Sequence, residues 1–314
     1  MDEWLKGINK SVVGAVLVFS AAAAWGLSGI FVTLVLENSS GTAVSLAFWR
    51  DSATFAVLFL YTLLTRPRNL GIEKKDLPWL VGMGVFLGAF HIVYNQSVIL
   101  NGVAITTVLQ TAMPAVVTIA SFYLWKEDLT IQKILAMGII FTGTAIASGI
   151  DIHSLEQTTV VALISGFAVP FLYAGWSLCG KAGVLKYGAS MCLTIAFGVA
   201  SIMLLPFQPF THQPLPVNLT MAAAFLGLIS ISTFGGFILY FMAMKYIQAG
   251  TASILVMSEI FFAGLYSWFL LDERLTRFQV LGILLVILGV ISLSHRLKKK
   301  NPILPVNKAA SGQL

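Results

Sequence analysis

The stretch Ser121-Phe-Tyr-Leu-Trp-Lys-Glu-Asp-Leu-Thr130 returns later in the chain as Ser267-Trp-Phe-Leu-Leu-Asp-Glu-Arg-Leu-Thr276. Five residues recur in register: serine, leucine, glutamate, leucine and threonine. Two adjacent aromatic residues in the first stretch also align with two in the second. Further matches keep the same spacing: Tyr94 with Tyr240, Leu135 with Leu281, and Gly143 with Gly289. A chain that repeats itself once over half its length is predicted to be a duplicated structure.

Each half of the chain is too apolar for a water-soluble domain. The 314 residues are 58% hydrophobic and 10% charged, and the mean hydropathy is +0.89. A soluble domain has about 25% charged residues, so this chain lacks the side chains to cover a surface in water. The first apolar run, 11–36, also exceeds the ~7–15 residues of a signal-peptide core. We therefore predict an all-α integral membrane protein without a separate signal peptide.

The apolar runs predict ten transmembrane helices, since a bilayer core needs roughly 20 apolar residues per helix. Five of them form a first repeat at 11–149 and five form a second repeat at 158–295. The tail, 296–314, is predicted to be disordered and cytoplasmic, and the proline-rich connection 206–217 cannot be helical throughout. The ten predicted spans are 11–36, 42–64, 77–98, 103–125, 129–149, 158–180, 187–206, 218–243, 249–271 and 275–295.

The distribution of basic residues predicts the orientation. With the N-terminus in the cytoplasm, 16 of the 19 lysines and arginines fall on the cytoplasmic side, Arg274 and Arg277 fall on the outer side, and Arg50 is left in a span. The positive-inside rule then places both termini in the cytoplasm, for a multi-pass protein of the cell (inner) membrane. The formal net charge of +6 arises from these short loops and from the Lys298-Lys299-Lys300 tail. We therefore expect no nucleic-acid partner.

An odd number of spans per repeat has a topological consequence. Five spans each would insert the two halves upside down relative to one another, with Glu127 and Glu273 at opposite faces of the membrane. Inverted repeats allow two states of similar energy, each open to one side, which is the basis of alternating access. A duplicated bundle that serves as a scaffold or a membrane enzyme is the alternative.

Ionisable residues inside the spans are candidates for function because each costs about 2.5–3.5 kcal/mol at a helix centre. Arg50 either braces the bundle, by snorkelling or pairing with a carboxylate, or contacts substrate or a gate. Asp51 is interpreted as its structural partner, with proton carriage as the alternative. Glu259 has three alternatives: it exchanges a proton, pairs with a substrate ammonium, or bonds a neighbouring helix.

Polar and aromatic stripes predict a cavity near the middle of the membrane. His91 and Asn95 are one helical turn apart, and Pro114 frees a carbonyl that must face protein or a wet cavity. Aromatic residues deep in their spans would give a flat lining, with cation–π capacity for an amine. Packing of these aromatics and hydrogen bonding between helices are the alternatives. The predicted substrate-binding residues are Trp25, His91, Tyr94, Gln110, Tyr173, Trp176, Tyr240 and Glu259.

The chain lacks the motifs of enzymes and ATP-driven pumps. It contains no phosphate-binding loop, metal-ligand spacing or nucleophile triad. Cys179 and Cys192 lie in apolar stretches and offer neither a disulfide framework nor a metal site. We therefore expect no cofactor, no metal and no catalytic residue.

Several motifs, taken in order, resemble the EamA-like branch of the drug/metabolite transporter superfamily. They are Ala22-Ala-Ala-Trp-Gly26, Ala47-Phe-Trp-Arg50, Ser258-Glu259 leading to Leu271-Asp-Glu-Arg-Leu-Thr276, and Leu281-Gly-Ile-Leu-Leu-Val-Ile-Leu-Gly289. The resemblance covers about 11–295. It implies ten helices in inverted repeats, a central cavity lined mainly by helices 1, 3, 4, 6, 8 and 9, and mostly export of small metabolites, amino acids or toxic organics.

The resemblance also bears on single residues. Trp25, Arg50 and Glu259 match positions where the family commonly has these residue types. Ile260 stands where a proline often follows that glutamate, so we expect helix nine to be straighter here.

Together these patterns predict a secondary transporter for a small organic metabolite such as an amino acid or amine, working by alternating access as an exporter. Its partners would be that small-molecule substrate and the lipid bilayer. Uptake or facilitated diffusion of the same solutes is the alternative, followed by a non-transporting sensor or enzyme. Substrate identity, proton coupling and oligomeric state stay open.

Overall fold

The computed structural model describes residues 9–65, 71–149, 159–213, 218–270 and 274–297. Throughout this part of the chain the regular secondary structure is helical and no strand occurs, which confirms the all-α prediction. Glu273, Pro214, Pro216 and most of the predicted tail, 298–314, lie outside the described residues.

Thirteen α-helices occur in the described ranges. A 3₁₀ helix at Leu205–Phe210 holds two of the predicted helix-breaking prolines, a π-helix occupies Leu228–Gly235, and a short 3₁₀ turn occupies Val256–Ser258. The α-helices are α1 Lys10–Gly26, α2 Ser28–Glu37, α3 Ala43–Thr65, α4 Leu77–Gln110, α5 Met113–Trp125, α6 Ile131–Ala147, α7 Val160–Tyr187, α8 Ala189–Leu204, α9 Leu219–Gly227, α10 Gly236–Ala243, α11 Ala249–Leu255, α12 Glu259–Leu270 and α13 Arg277–Leu297.

Eight helical segments are long and apolar enough to cross a membrane. Two shorter apolar helices, Ile131–Ala147 and Arg277–Leu293, fall at the predicted spans 129–149 and 275–295. The chain is therefore a multi-pass membrane protein. The eight segments are Lys10–Glu37, Ala43–Leu64, Leu77–Gly102, Ile105–Trp125, Val160–Tyr187, Ala189–Phe210, Leu219–Ala243 and Ala249–Leu270.

The third and fourth of these segments meet inside α4 at Gly102. Its φ of 78° lies in the left-handed region, which glycine adopts without the steric cost that other residues incur. The chain therefore turns there without a long loop, and α4 contains parts of two successive spans.

Small residues allow the last helix of each half, α6 and α13, to touch backbone to backbone. A Cβ atom added to Gly143 would lie 2.8 Å from the carbonyl oxygen of Gly282 and 2.9 Å from the nitrogen of Val286. One added to Gly289 would lie 2.7 Å from Ile140 Cγ1. Such close approach between small residues is how membrane helices gain packing energy, because lipid supplies no hydrophobic drive between them.

Helix nine is interrupted although it lacks the family's proline, and the expectation that it is straighter than in relatives stays a prediction. The span Ala249–Leu270 is interrupted by the 3₁₀ turn Val256–Ser258, in which the N–H of Glu259 bonds to the Val256 carbonyl three residues back. A 3₁₀ turn tightens a helix through backbone bonding alone, so it needs no proline. Span four is interrupted as well, after Gln110, and Pro114 lies in the first turn of α5.

Candidate functional site

A cavity of about 590 Å³ lies among the helices at the level of these interruptions. At one end it reaches the exposed residues Gly29, Thr33 and Ala43, and at the other it ends at Trp176, which is 1% exposed. Its wall comes from α1, α2, α3, α4, α7, α10 and α12. Span two contributes through Ala43 to Arg50, beyond the helices that the family resemblance implies.

The structure brings most of the sequence-predicted binding residues to this cavity. Tyr240 is the exception: it is fully buried one layer behind the wall. Its ring stacks on Trp176 at 5.7 Å and 13°, and its hydroxyl lies 2.9 Å from Ser177 Oγ. Tyr240 therefore supports the wall from behind. The predicted residues that line the cavity are Trp25, His91, Tyr94, Gln110, Tyr173, Trp176 and Glu259.

Aromatic rings form a continuous wall on one side. Phe237 lies 5.1 Å from both Trp25 and Trp176, and Tyr173 lies 5.4 Å from Trp176 and 5.1 Å from Phe90, measured between ring centroids. Within the described part of the chain, the indole N–H groups of Trp25 and Trp176 are buried without a hydrogen-bond partner. Both N–H groups can therefore donate to an acceptor that reaches this wall.

Arg50, Asp51 and His91 form one hydrogen-bonded charge cluster. Asp51 is fully buried, and its Oδ2 lies 2.8 Å from His91 Nδ1. Arg50 Nε lies 3.4 Å from Asp51 Oδ1, and Arg50 Nη2 lies 2.5 Å from His91 Nε2. Because a guanidinium only donates, His91 Nε2 accepts, which leaves Nδ1–H to donate to Asp51. The histidine in this arrangement is neutral, so the cluster has no net charge.

The cluster combines the two sequence interpretations of Arg50. Its guanidinium pairs with a carboxylate, as a bracing residue does, and it also lines the cavity. Asp51 lies behind it and bonds to both Arg50 and His91, and its role as a structural partner stays a prediction.

Glu259 faces the cavity from the first residue of α12. Among the described residues no side chain forms a hydrogen bond or ion pair with its carboxyl group. The bond to a neighbouring helix, one of the three alternatives from the sequence, is therefore absent from this part of the structure. The carboxyl group is left facing the aromatic wall.

Some wall residues were not predicted from the sequence. Ala263 and Ser267 line the cavity below Glu259, at successive intervals of four on α12. That helical spacing would have identified them, since residues four apart share a face. Phe237 follows the glycine pair Gly235-Gly236 and gives no such periodic signal.

A bundle of membrane-spanning helices with interrupted spans around a polar and aromatic cavity is the structure of a small-molecule carrier. Residues 12–149 and 160–294 match the model of the EamA-like transporter family, and the chain belongs to that family. The family model thus matches each half of the chain once.

Named relatives agree with this assignment. An uncharacterised transporter of Archaeoglobus fulgidus is 27% identical over 270 residues, which cover 85% of this chain and 93% of the relative. The uncharacterised inner membrane transporter YicL of Salmonella typhimurium is 26% identical over 288 residues, 90% of this chain and 95% of that protein. A protein of known crystal structure has the same fold, with a TM-score of 0.76 at 14% identity, over 91% of this chain and 98% of the other.

Proposed function

We propose that this protein is a secondary transporter that moves a small organic metabolite, such as an amino acid or amine, across the cytoplasmic membrane by alternating access. The observation that supports this most directly is the cavity, whose 590 Å³ falls within the roughly 300–1,000 Å³ of small-molecule sites. Three features of the cavity could bind a substrate: the aromatic wall, the Arg50–Asp51–His91 cluster, which has no net charge, and the carboxyl group of Glu259. Export is the proposed direction, with uptake or facilitated diffusion of the same solutes as the alternative.

Contacts between the two halves support a ten-span architecture of inverted repeats. Gly143 of α6 packs against Gly282, Leu285 and Val286 of α13, while Gly289 packs against Ala136, Ile139 and Ile140. The spacing that pairs Gly143 with Gly289 gives every residue a counterpart in the other half of the chain. When each residue of the first set of contacts is replaced by its counterpart, the second set results. A contact that maps onto itself in this way is expected at a two-fold axis relating the repeats.

The helix interruptions support the same relation. The break between α4 and α5 at Thr111–Ala112 and the 3₁₀ turn at Val256–Ser258 fall at matching positions of the two halves. Discontinuous helices at matching positions surround the substrate site in transporters built from inverted repeats. Glu259 follows one of these breaks, which favours a role in substrate or proton binding over pure packing.

Transport is tested by reconstituting the purified protein in proteoliposomes and measuring the flux of amino acids, amines, nucleosides and organic acids. We expect flux of at least one solute class, and we expect Glu259→Gln to lower it about tenfold or more because the cavity loses its unpaired carboxyl group. Glu37→Gln, at the exposed end of α2, is the matched control and should transport normally.

The pH dependence separates the two roles left for Glu259. If it exchanges protons, Glu259→Gln removes the dependence of flux on a pH gradient. If it only pairs with a substrate ammonium, the variant loses affinity and keeps that dependence. Absence of flux for every solute, from protein that is folded and monodisperse, would contradict the proposed function.

A further inference from the structure

The cavity is closed at the end opposite Gly29 and Thr33. Neither α5 nor α11 contributes to its wall. The span Ala249–Leu270 lines the cavity only from Glu259 onward, so α11, which precedes Glu259, lies beyond the wall, and there it is in contact with α5. A Cβ atom added to Gly250 would lie 2.8 Å from Thr118 Oγ1 and 3.1 Å from Thr118 Cα. Opening the cavity at this end therefore requires α11 to separate from α5.

Glu127 crosses this closed interface. It lies in the connection after α5, where Lys126 takes a left-handed conformation with φ 54°, and it is 6% exposed. Its Oε1 accepts a hydrogen bond from the backbone N–H of Ala249 at 3.0 Å, and its Oε2 accepts one from Gly250 at 3.2 Å. The carboxylate thus satisfies backbone donors at the start of the span Ala249–Leu270, which belongs to the other half of the chain.

Lys181 of α7 completes this contact. Its ammonium group is ion-paired with Glu127 and lies 5.4 Å from the ring centroid of Trp125. Lys181 is 8% exposed, so both charges are shielded from solvent. Hydrogen bonds between ionised groups are the strongest that side chains form. Glu127 therefore ties together the end of α5, α7 and the start of α11.

The residue that would ordinarily cap the span is occupied elsewhere. Gln248 precedes α11 and makes no side-chain capping bond. Its Oε1 instead accepts a hydrogen bond from Lys133 Nζ at 2.8 Å, and Lys133 also donates to the Asp128 carbonyl at 2.8 Å. Capping of α11 is therefore left to Glu127, and the start of α11 is held at two points, by Glu127 of the α5–α6 connection and by Lys133 of α6.

We propose that Glu127 and Lys181 form a latch that holds this end of the cavity shut and that breaks when the cavity opens here. The proposal rests on the proposed function, since alternating access requires such an opening. Glu127 acts as a positioning residue, because it does not line the cavity. In the open state both charges would be hydrated, so their pairing stabilises only the closed state.

Two buried hydroxyl groups at this end support an opening at the same place. Thr118 Oγ1 and Ser121 Oγ are buried and make no hydrogen bond within the described part of the chain. Water entering between α5 and α11 would satisfy them, so this interface gains hydrogen bonds when it opens. The latch opposes that gain.

The test compares the reactivity of two cysteine reporters towards a membrane-impermeant maleimide, with both native cysteines replaced by alanine. Thr118→Cys reports on the closed end, where Thr118 is 1% exposed, and Ser28→Cys reports on the cavity near its open end. In protein reconstituted in nanodiscs, adding Glu127→Gln should speed labelling of Thr118→Cys by about 10- to 100-fold, the factor that loss of charge-assisted hydrogen bonds produces. The same variant should slow labelling of Ser28→Cys, because a population that opens at one end closes at the other.

Glu73→Gln is the matched control. Glu73 also pairs with lysines, Lys186 at 2.5 Å and Lys75 at 2.9 Å, but these are exposed ion pairs away from the α5–α11 crossing. We expect neither reporter to change in this variant. If Glu127→Gln does not yield folded protein, Lys181→Gln, which removes the other partner, is interpreted in the same way.

Two results would overturn the latch. One is unchanged labelling of Thr118→Cys in folded Glu127→Gln protein. The other is faster labelling of Thr118→Cys with no change at Ser28→Cys, since local loosening exposes only the near reporter. Labelling needs neither substrate nor flux, so failure of the latch and failure of the transport proposal are separate outcomes.

Discussion

At the scale of single residues, the cluster of Arg50, Asp51 and His91 shows how a membrane interior accommodates charge. Asp51 is adjacent in sequence to Arg50 but bonds to His91 on a different helix, and it is the most deeply buried of the three. Its Oδ1 pairs with Arg50 and its Oδ2 accepts a hydrogen bond from His91. Loss of its charge would leave the guanidinium without a counter-ion.

We predict that Asp51→Asn lowers the free energy of unfolding by about 3 kcal/mol, since breaking a buried ion pair by removing one partner costs about 3–5 kcal/mol. Denaturation of the purified protein in detergent would measure the loss. Asp76→Asn is the control: Asp76 pairs with Lys186 at 2.6 Å but its side chain is 25% exposed.

The control should lose no more than about 1 kcal/mol, as exposed ion pairs contribute little. The Lys186 ammonium and the Tyr187 hydroxyl do hold the pKa of Asp76 below its usual value, but solvent screens this pair. Equal losses for Asp51→Asn and Asp76→Asn would contradict the structural role of the buried cluster.

Most of the binding residues predicted from the sequence line the cavity, but the sequence does not give their arrangement. A charge or an aromatic ring deep in an apolar span is visible in one dimension, and Trp25, His91 and Glu259 were found that way. The bond between Asp51 and His91 was not, because it joins two helices whose packing the sequence does not specify. The sequence predicts that Tyr240 lines the cavity, but Tyr240 packs behind Trp176. The sequence does not specify the helix packing that decides which of the two rings reaches the cavity.

At the scale of helices, α6 and α13 pack backbone to backbone through glycines that the internal repeat pairs. Gly143 and Gly289, matched in the sequence, both lie on this interface. Each glycine faces backbone atoms or the inner carbon atoms of a side chain on the other helix. These atoms cannot shift enough to make room for a methyl group. The interface therefore depends on the absence of a Cβ atom at these positions.

We predict that Gly143→Ala destabilises the protein by about 1–3 kcal/mol, the usual cost of overpacking a tight interface. The added Cβ would meet the carbonyl oxygen of Gly282 at 2.8 Å, and backbone cannot rotate away as a side chain can. The matched control is Gly138→Ala on the same helix, where nothing lies within 4 Å.

Because alanine favours helix by up to about 1 kcal/mol over glycine, the control should keep or raise the thermal unfolding temperature. A thermal-shift measurement compares the unfolding temperatures of the two variants and tests this prediction. If Gly143→Ala is as stable as Gly138→Ala, the two helices do not depend on close backbone contact.

Helix positions were predictable where hydropathy alone decides them, and helix regularity was not. The predicted span 249–271 agrees with Ala249–Leu270, yet its 3₁₀ turn at Val256–Ser258 has no proline to announce it. Span four carries such a signal in Pro114. The turn in span nine was foreseeable only from the repeat, since it lies where the first half is interrupted.

At the scale of the whole molecule, the two ends differ in charge and in closure. The end with the latch also carries the exposed group Glu73, Lys75 and Lys186, whereas the other end holds the open side of the cavity. The positive-inside rule assigns the first end to the cytoplasm. With that orientation, which we propose, the cavity would be accessible from outside in this structure.

We predict that Ser40→Cys is labelled by an impermeant maleimide on intact cells, in a background without native cysteines, and that Gly71→Cys is labelled only after permeabilisation. Both positions are exposed in short connections, after α2 and before α4. A third reporter, Thr211→Cys, should be labelled under the same conditions as Ser40→Cys, because the neighbouring His212 carbonyl accepts hydrogen bonds from Thr42 N at 3.1 Å and Ser45 Oγ at 2.6 Å. Opposite behaviour of Thr211→Cys and Ser40→Cys would contradict the fold itself.

If those two agree with one another but the inside and outside assignments are exchanged, the fold stands and the termini are extracellular. The latch would then close the outer end of the cavity, and the structure would correspond to a state open to the cytoplasm.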